Sequence, residues 1–556
     1  MRLPLRLGAF GRITFCLVLL LSTGLAARVE RLIDTWRPTH YLVNITLNDQ
    51  LSEITNASAR INISILKPTR TIDLDFGDLT VDAVTLNSNP VQFTHNNGRL
   101  SLALPEVVSA GDALVITVNY HGKPKDGLIL TNDKDGKPAA IGDNWPDRVH
   151  HWLPVLDHPS AKATITFNVT APASQEVVAN GRLDHVETTA SGQRTWTYSE
   201  GVPVPPYCMI IGVGQFARVE PSSHALTPLS YYVPLSEREL AQKGFSPSIP
   251  TLEFFTEKVA PYPYEKLALI IGATRYGGME NSSAIVFTSN MFSRNSPVGM
   301  SRTFGVPFNN VTLIAHEIAH QWFGDSVTES TWSDLWLSEG FATYFAGLFV
   351  QRYEGEEAFQ RYMRNAATTV FEYEKKKRVP IFDRDTESLM ELLNPNNYQK
   401  GAWVLHMLRS NLGDDVFFRG IRAYYESHKN SVASTEDLRV ALEKASGKNL
   451  RAFFARWVYD NGHPQYELKW YWLAKKELRV VLSQLQPGNA FGDPVPITIS
   501  SVKGKRDLVL KPTGKLFIER ISLRDQPVKI EFDPDNHLLD ESTVQGWVSA
   551  NRMVQR

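Results

Sequence analysis

The sequence predicts a multidomain α+β chain ordered β, then mostly α, then β. Three observations carry this reading. Apolar and polar residues alternate with period two from about residue 36 to 220. From about 250 to 459 apolar residues recur at i, i+3 and i+4, and after "DNGHPQYEL" the period-two alternation returns. The expected division is a leader at 1–27, an N-terminal β domain at 28–220, a mostly α domain at 221–461, a small β-sandwich at 462–540 and a tail at 541–556.

In the first domain, "HYLVNITLND", "ARINISILK", "RTIDLDFGDLTVDAVTL", "RLSLALP" and "ALVITVNYHG" read as strands separated by the turn signals "SNP", "HNNG" and "SAGD". Short strands at this spacing predict an antiparallel sandwich or saddle. Beyond 250, "PTLEFFTEKVA" reads as a helix and "LALIIGATRYGGMENSSAIVF" as strand, tight turn, strand. Helices are predicted over 308–323, 334–353, 355–373, 398–411, 414–428, 435–446 and 449–459, with Asn309 and Asn310 as N-caps of the first and Gly324 as its stop. "YELKWYWL", "ELRVVLSQL", "VPITISSV", "RDLVLKP", "KLFIERISL" and "PVKIEFD" supply the sandwich strands.

Composition narrows the function classes. A formal net charge of −1 over 556 residues argues against nucleic acid or an anionic membrane as partner, since both are held mainly by field. Arg2, Arg6 and Arg12 precede an apolar stretch at 13–21, followed by Gly24, Ala26 and Ala27. That is the pattern of a secretory signal peptide and predicts export to the periplasm or the extracellular space. The stretch is shorter than the roughly 20 residues a membrane helix needs, and no later segment is apolar enough, so no membrane span is expected in the mature chain. Cys16 leaves with the leader, which makes Cys208 a lone core thiol and leaves His and carboxylates to carry any metal chemistry.

"LIAHEIAHQWFGD" places His316 and His320 one helical turn apart, on one face and able to share an ion. Glu317, rotated by about 100°, stands beside that ion without ligating it. Glu339, on the next predicted helix "SDLWLSEGFATYFAGLF", supplies a third ligand and leaves a fourth position open, as catalytic zinc requires. The surrounding Ile314, Ala315, Ile318 and Ala319 imply burial, where unpartnered His and Glu would be costly. Zn2+ so held would activate a water and polarise a carbonyl, with Glu317 taking and returning the proton. A further donor is wanted for the oxyanion. Tyr398 in "NNYQKGAWVLHML" is one candidate among 19 tyrosines and reads equally as a packing residue. Glu280, after Gly277 and Gly278 in "RYGGMENSS", reads either as an acidic group for a substrate amine or as a solvated residue on a Gly-Gly hairpin turn.

Taken together, "GGMEN" at 277–281, "HEIAHQWFGD" with "WLSEGFA", and "YQKGAWVLHML" resemble one family, the aminopeptidase N and leukotriene hydrolase group of gluzincin zinc peptidases. "RVHHWLPVLDHPSAKAT" resembles a further stretch of that family's N-terminal domain. The resemblance implies a β saddle, a thermolysin-like zinc catalytic domain and a β-sandwich. It implies one zinc per chain on His316, His320 and Glu339, with Glu317 as base and Tyr398 stabilising the intermediate. Glu280 falls on the amine-binding glutamate, Gly277, Gly278, Met279 and Asn281 on the substrate-facing segment, and Tyr276 on a wall of the first side-chain pocket. The implied activity is removal of N-terminal residues from peptides with a free amine. A thermolysin-like endopeptidase and a non-catalytic peptide-binding relative are the alternatives.

Several features depart from the family pattern. Where relatives carry a glutamine beside the amine site, counting back from Pro154 gives Asp143 or Asn144. Ser338 replaces a common asparagine, a change expected to leave ligation untouched. No counterpart of the family's large C-terminal helical domain is expected after the sandwich, and with it the expectation is a more open cleft and peptide rather than epoxide hydrolysis.

Overall fold

The computed structural model describes residues 31 and 34–548, apart from 224, 294–301, 305 and 474–475. The predicted leader at 1–27 and the tail residues 549–556 lie outside these described residues.

Alternation in the first domain builds an eight-stranded sheet, in which Trp36–Leu47 pairs antiparallel with Ile54–Ile65 and parallel with Ala163–Ala171. The parallel pair departs from the antiparallel expectation, because period two is common to both kinds of pairing. A smaller sheet joins Leu128–Asn132, Pro138–Gly142, Ile211–Gly214 and Glu176–Ala179. It ends the first domain at Gly214, before the expected boundary at 220. Phe216–Val219 already pairs with Leu229–Pro234 in the next sheet, and alternation runs through both sheets without marking the change.

The second domain sets a five-stranded sheet against helices. Leu229–Pro234, Leu267–Gly272 and Ala284–Thr288 run parallel, and Gly278–Met279 lies antiparallel at the edge beside Ala284–Thr288. "LALIIGATRYGGMENSSAIVF" is therefore not a hairpin: its two long strands are parallel neighbours and the Gly-Gly segment is a third strand. Beyond a single turn at Ala241–Gly244, the helices among the described residues are α1 (Ser248–Lys258), α2 (Phe308–His320), α3 (Trp336–Glu354), α4 (Glu356–Glu374), α5 (Gly401–Leu412), α6 (Asp414–His428), α7 (Thr435–Ser446) and α8 (Arg451–Trp457). α3 is buried on every side from Trp336 to Val350, as befits a helix apolar all round. Gly324, at φ +124°, ends the α2 region as predicted. Asn309 and Asn310 do not cap α2: Pro307 holds that position, and Asn310 Nδ2 donates to the Met291 carbonyl at 2.7 Å.

The third domain stacks a four-stranded sheet and a three-stranded sheet. Residues 541–548, expected as tail, form the strand Glu541–Val548 paired parallel to Gln465–Leu473. The segment is poor in apolar residues, so its strand character comes from the neighbouring edge. A Cβ at Gly546 would lie 2.2 Å from the Trp470 indole, so only glycine admits that ring, and Trp547 stacks on Tyr471 at 4.9 Å. A buried ion network joins this domain to the helices: Glu374 of α4 accepts from Lys400 at 2.7 Å and contacts His463 at 2.6 Å, and His463 reaches Glu541 at 3.2 Å.

Candidate metal centre

α2 presents His316 and His320 to Glu339 of α3. The Nε2 atoms of the two histidines lie 3.0 Å apart, and Glu339 Oε2 is 3.1 Å from one and 3.4 Å from the other. His320 Nδ1 is 3.1 Å from the Phe323 carbonyl, which can only accept, so a neutral ring making this bond carries its proton on Nδ1 and keeps the Nε2 lone pair for an ion. Two imidazole nitrogens and a carboxylate converging at these distances form the donor set of a His₂Glu zinc site, and the residues fit that ion. Ser338 Oγ also lies 3.0 Å from His320 Nδ1, so the replacement of asparagine does touch a ligand.

These groups open on a cavity of about 360 Å³. Glu317 lines it behind the edge strand: a Cβ built on Gly278 would lie 2.4 Å from the Glu317 carboxyl carbon, so the close approach requires glycine. Glu280 lines it too and is only 6% exposed, which excludes the solvated-turn reading. Tyr398 sits in a π-helical turn at Asn396–Lys400, ahead of α5, and donates its phenol hydrogen to Glu339 Oε1 at 2.8 Å.

The site is short of positive charge. Burial pushes the Glu280 carboxyl up to about 7, with Glu339 and Asp143 adding to the rise against His320. Burial also lifts Glu317 well above the usual carboxylate range, reinforced by Glu280 and Glu339. Glu339 goes the other way: burial would raise it, but His320 and His316 hold it well below that range. Among the described residues no lysine or arginine lines the cavity. A dication on the histidines and an ammonium beside Glu280 are the charges that would balance it.

Tyr276, Gly277, Gly278, Met279, Glu280, His316, Glu317, His320, Glu339 and Tyr398 thus share one cavity. Asn281 does not face it; the residue is buried, and its amide donates to the Met279 carbonyl at 3.4 Å. Asp143 and Asn144 do not reach it either. Asn144 accepts from the Trp152 indole at 2.8 Å and donates to the Met209 carbonyl. Asp143 pairs with Arg148 at 3.1 Å and accepts from Thr274 and the Arg275 amide at 3.3 Å. Their neighbour Trp145 lines the cavity instead.

Two supporting residues escaped the sequence reading. Gln321, fully buried, donates to the Glu280 carbonyl at 3.0 Å and accepts from the Ser283 amide at 2.8 Å, stitching the edge strand to the end of α2. Its signal was a polar residue in the apolar context that follows the second histidine. Lys162, from the first domain's "KAT", donates to the carbonyls of Asp325 and Ser326 at 2.6 and 2.8 Å and to Thr328 Oγ1 at 2.9 Å. Cys208 is a free, buried thiol as expected, donating to Asp325 Oδ1 at 3.2 Å.

Sequence comparison agrees with this geometry. The profile of the Peptidase family M1 domain matches residues 245–457, and that of the Peptidase M1 N-terminal domain matches residues 37–208. Tricorn protease-interacting factor F2 of Thermoplasma acidophilum is 26% identical over 466 residues, covering 80% of this chain and 56% of that protein. Aminopeptidase M1 of Arabidopsis thaliana is 28% identical over 456 residues, 77% of this chain and 50% of that protein. Leucyl aminopeptidase of Saccharolobus solfataricus is 26% identical over 408 residues, 71% of this chain and 50% of that protein. The chain spans about half the length of these curated relatives. It belongs to peptidase family M1, a family of zinc-dependent metallopeptidases.

Proposed function

We propose that the protein is a zinc aminopeptidase, with one Zn2+ per chain, that hydrolyses the first peptide bond of peptides with a free N-terminus. The observation that carries this reading is Glu280, a buried carboxyl in the same cavity as the His316, His320 and Glu339 donor set. A carboxylate desolvated to this degree calls for a cation, and an N-terminal ammonium supplies it. Gly278–Met279 forms a sheet edge along which a substrate backbone can pair.

His316, His320 and Glu339 would hold the zinc, which would supply Lewis acidity at this end of the cavity. Glu317, basic through burial, takes the water's proton and delivers it to the leaving amine. Tyr398 holds a phenol hydrogen beside the centre and donates it to the developing oxyanion. Glu280 fixes the amine and with it the distance to the bond that breaks.

A panel of aminoacyl chromogenic substrates tests the reading, with and without a chelator. Release should stop on metal removal and return with zinc. A peptide and its N-acetylated form separate the two peptidase classes: acetylation should remove nearly all cleavage, and equal cleavage of both would overturn the assignment of Glu280. Glu317→Gln should abolish turnover while zinc analysis still finds one ion per chain; unaltered turnover would refute its role as base. We also propose export to the periplasm or beyond the cell, supported by the basic, apolar and small-residue pattern of 1–27. An intact N-terminus, seen by mass spectrometry of the protein from its native host, would overturn it.

A further inference from the structure

The two sheets of the third domain end in open strands, and those ends are not alike. Gly504–Leu510, at one end of the three-stranded sheet, carries Lys505, Arg506 and Asp507 in a row. Such a charged edge resists pairing with another chain. Leu516–Ser522, at one end of the four-stranded sheet, runs without proline or register shift, and Leu516 and Ile518 are 63% and 46% exposed on it. Leu485, also exposed, extends the apolar strip beside Leu516, because Gln484 pairs with Lys515. An apolar strand at an open edge is a template for a further strand.

The ladder fixes which backbone groups face outward. Gln484 N–H donates to the Lys515 carbonyl at 2.8 Å and Leu523 N–H to that of Lys476 at 3.0 Å, so the odd residues of this strand spend their amides and carbonyls on Glu477–Gln484. The even residues turn theirs to the open side. Arg506 Nη1 takes the Ser522 carbonyl at 3.2 Å, which leaves Leu516, Ile518 and Arg520 without a strand partner among the described residues. Along this edge Lys515, Leu516, Phe517, Ile518 and Glu519 complement their own reverse order. Turned antiparallel on a second copy about Phe517, the row sets Leu516 of each chain against Ile518 of the other, with every outward N–H and C=O of both residues used. It also sets each Lys515 against a Glu519. An axis at Glu519 would oppose the two glutamates, and an axis at Ile518 would oppose Lys515 to Ile521 and Phe517 to Glu519.

We propose that two copies of this chain associate through Leu516–Ser522, antiparallel about Phe517, and join their four-stranded sheets into one across a two-fold axis. The same patch then serves both chains, so the contact closes on itself and association stops at a dimer. Pairing removes the open edge and buries Leu516 and Ile518, while the reciprocal Lys515 and Glu519 contacts fix the register. None of these residues lines the catalytic cavity, so the inference is independent of the proposed activity.

Sedimentation velocity on the full chain from about 1 to 100 µM tests this, with circular dichroism to show that each variant is folded. Wild type should pass from monomer to dimer across that range. Ile518→Lys changes an exposed side chain and leaves the ladder to Glu477–Gln484 intact; it should raise the dimer dissociation constant by roughly tenfold or more. Lys515 also donates to the Gln486 carbonyl at 2.6 Å, so Lys515→Glu alone does not separate pairing from a local effect. The exchange of charges does. Lys515→Glu and Glu519→Lys should each weaken the dimer by roughly tenfold, and the double variant should return it to within about threefold of wild type. Wild type that stays monomeric at about 100 µM, a species larger than a dimer, a dimer indifferent to Ile518→Lys, or a double variant as weak as the single ones would overturn the proposal.

Discussion

Gly278→Ala is the sharpest probe of the geometry, because one methyl group meets one functional carboxyl. An ideal Cβ at Gly278 falls 2.4 Å from Glu317 Cδ and Oε1 and 2.6 Å from Cγ, where ordinary contact is 3.4–4 Å. Relief therefore requires the carboxyl to retreat by about 1 Å, and a displacement of that size at a reacting group costs on the order of 10²-fold in rate. The backbone at Gly278 is not in the left-handed region, so alanine adds no torsional strain there. Gly277→Ala is the internal control: its Cβ would touch only the two methyls of Leu313, at 3.5 and 3.7 Å, ordinary contacts. Steady-state kinetics on a leucyl chromogenic substrate should show kcat about 10²-fold lower for Gly278→Ala and within about threefold for Gly277→Ala. Zinc content should match wild type in both, and the melting temperature in Gly277→Ala, while the overlap at Gly278 lowers stability by about 1–3 kcal/mol. Equal kcat for the two variants would refute the placement of Glu317 against the edge strand.

Other perturbations follow from the same contacts. Tyr398→Phe removes a donor beside the centre and should lower kcat by about 10²- to 10³-fold with zinc retained, as loss of an oxyanion donor does; metal analysis and kinetics together check this. Lys162→Met strands the Ser326 carbonyl at the domain junction and leaves that of Asp325 with Thr328 Oγ1 alone, and should cost about 1–3 kcal/mol in chemical denaturation. In Glu374, burial would raise the carboxyl, but hydrogen bonding to His463 and the charge of Lys400 hold it at about 2, below an unfolded value near ~4.3. A depressed carboxylate stabilises the fold above the unfolded pKa, and that contribution is lost as pH falls from about 4 toward about 2. Glu374→Gln should flatten that limb of the stability–pH curve and, by leaving the buried Lys400 without a counter-charge beside the Gly462 carbonyl, cost about 3–5 kcal/mol at neutral pH. An unchanged acid limb would sink the assignment.

What could be read from sequence was what local periodicity controls. His316 and His320 share a face because a helix turns in 3.6 residues, and Glu339 meets them because it stands in the first turn of an apolar helix that packs on theirs. Glu280 was ambiguous for a physical reason: whether "GGMEN" turns or pairs depends on Ala284–Thr288 being a parallel neighbour of Leu267–Gly272, a choice made by the sheet. Counting from Pro154 to Asp143 and Asn144 failed because a loop has no period to carry a register. Asn144 and Asp143 turn inward to partners such as Met209 and Arg148, and Trp145 takes the position on the cleft. The acceptors of Lys162 are mostly backbone carbonyls more than 160 residues away, which no side-chain pattern announces. The strand Glu541–Val548 exists because an edge was open to it. Catalytic groups sit on regular elements and are legible there. Trp145, Tyr276 and Leu393 sit in turns outside the helices and long strands, and only the assembled structure brings them to one cavity.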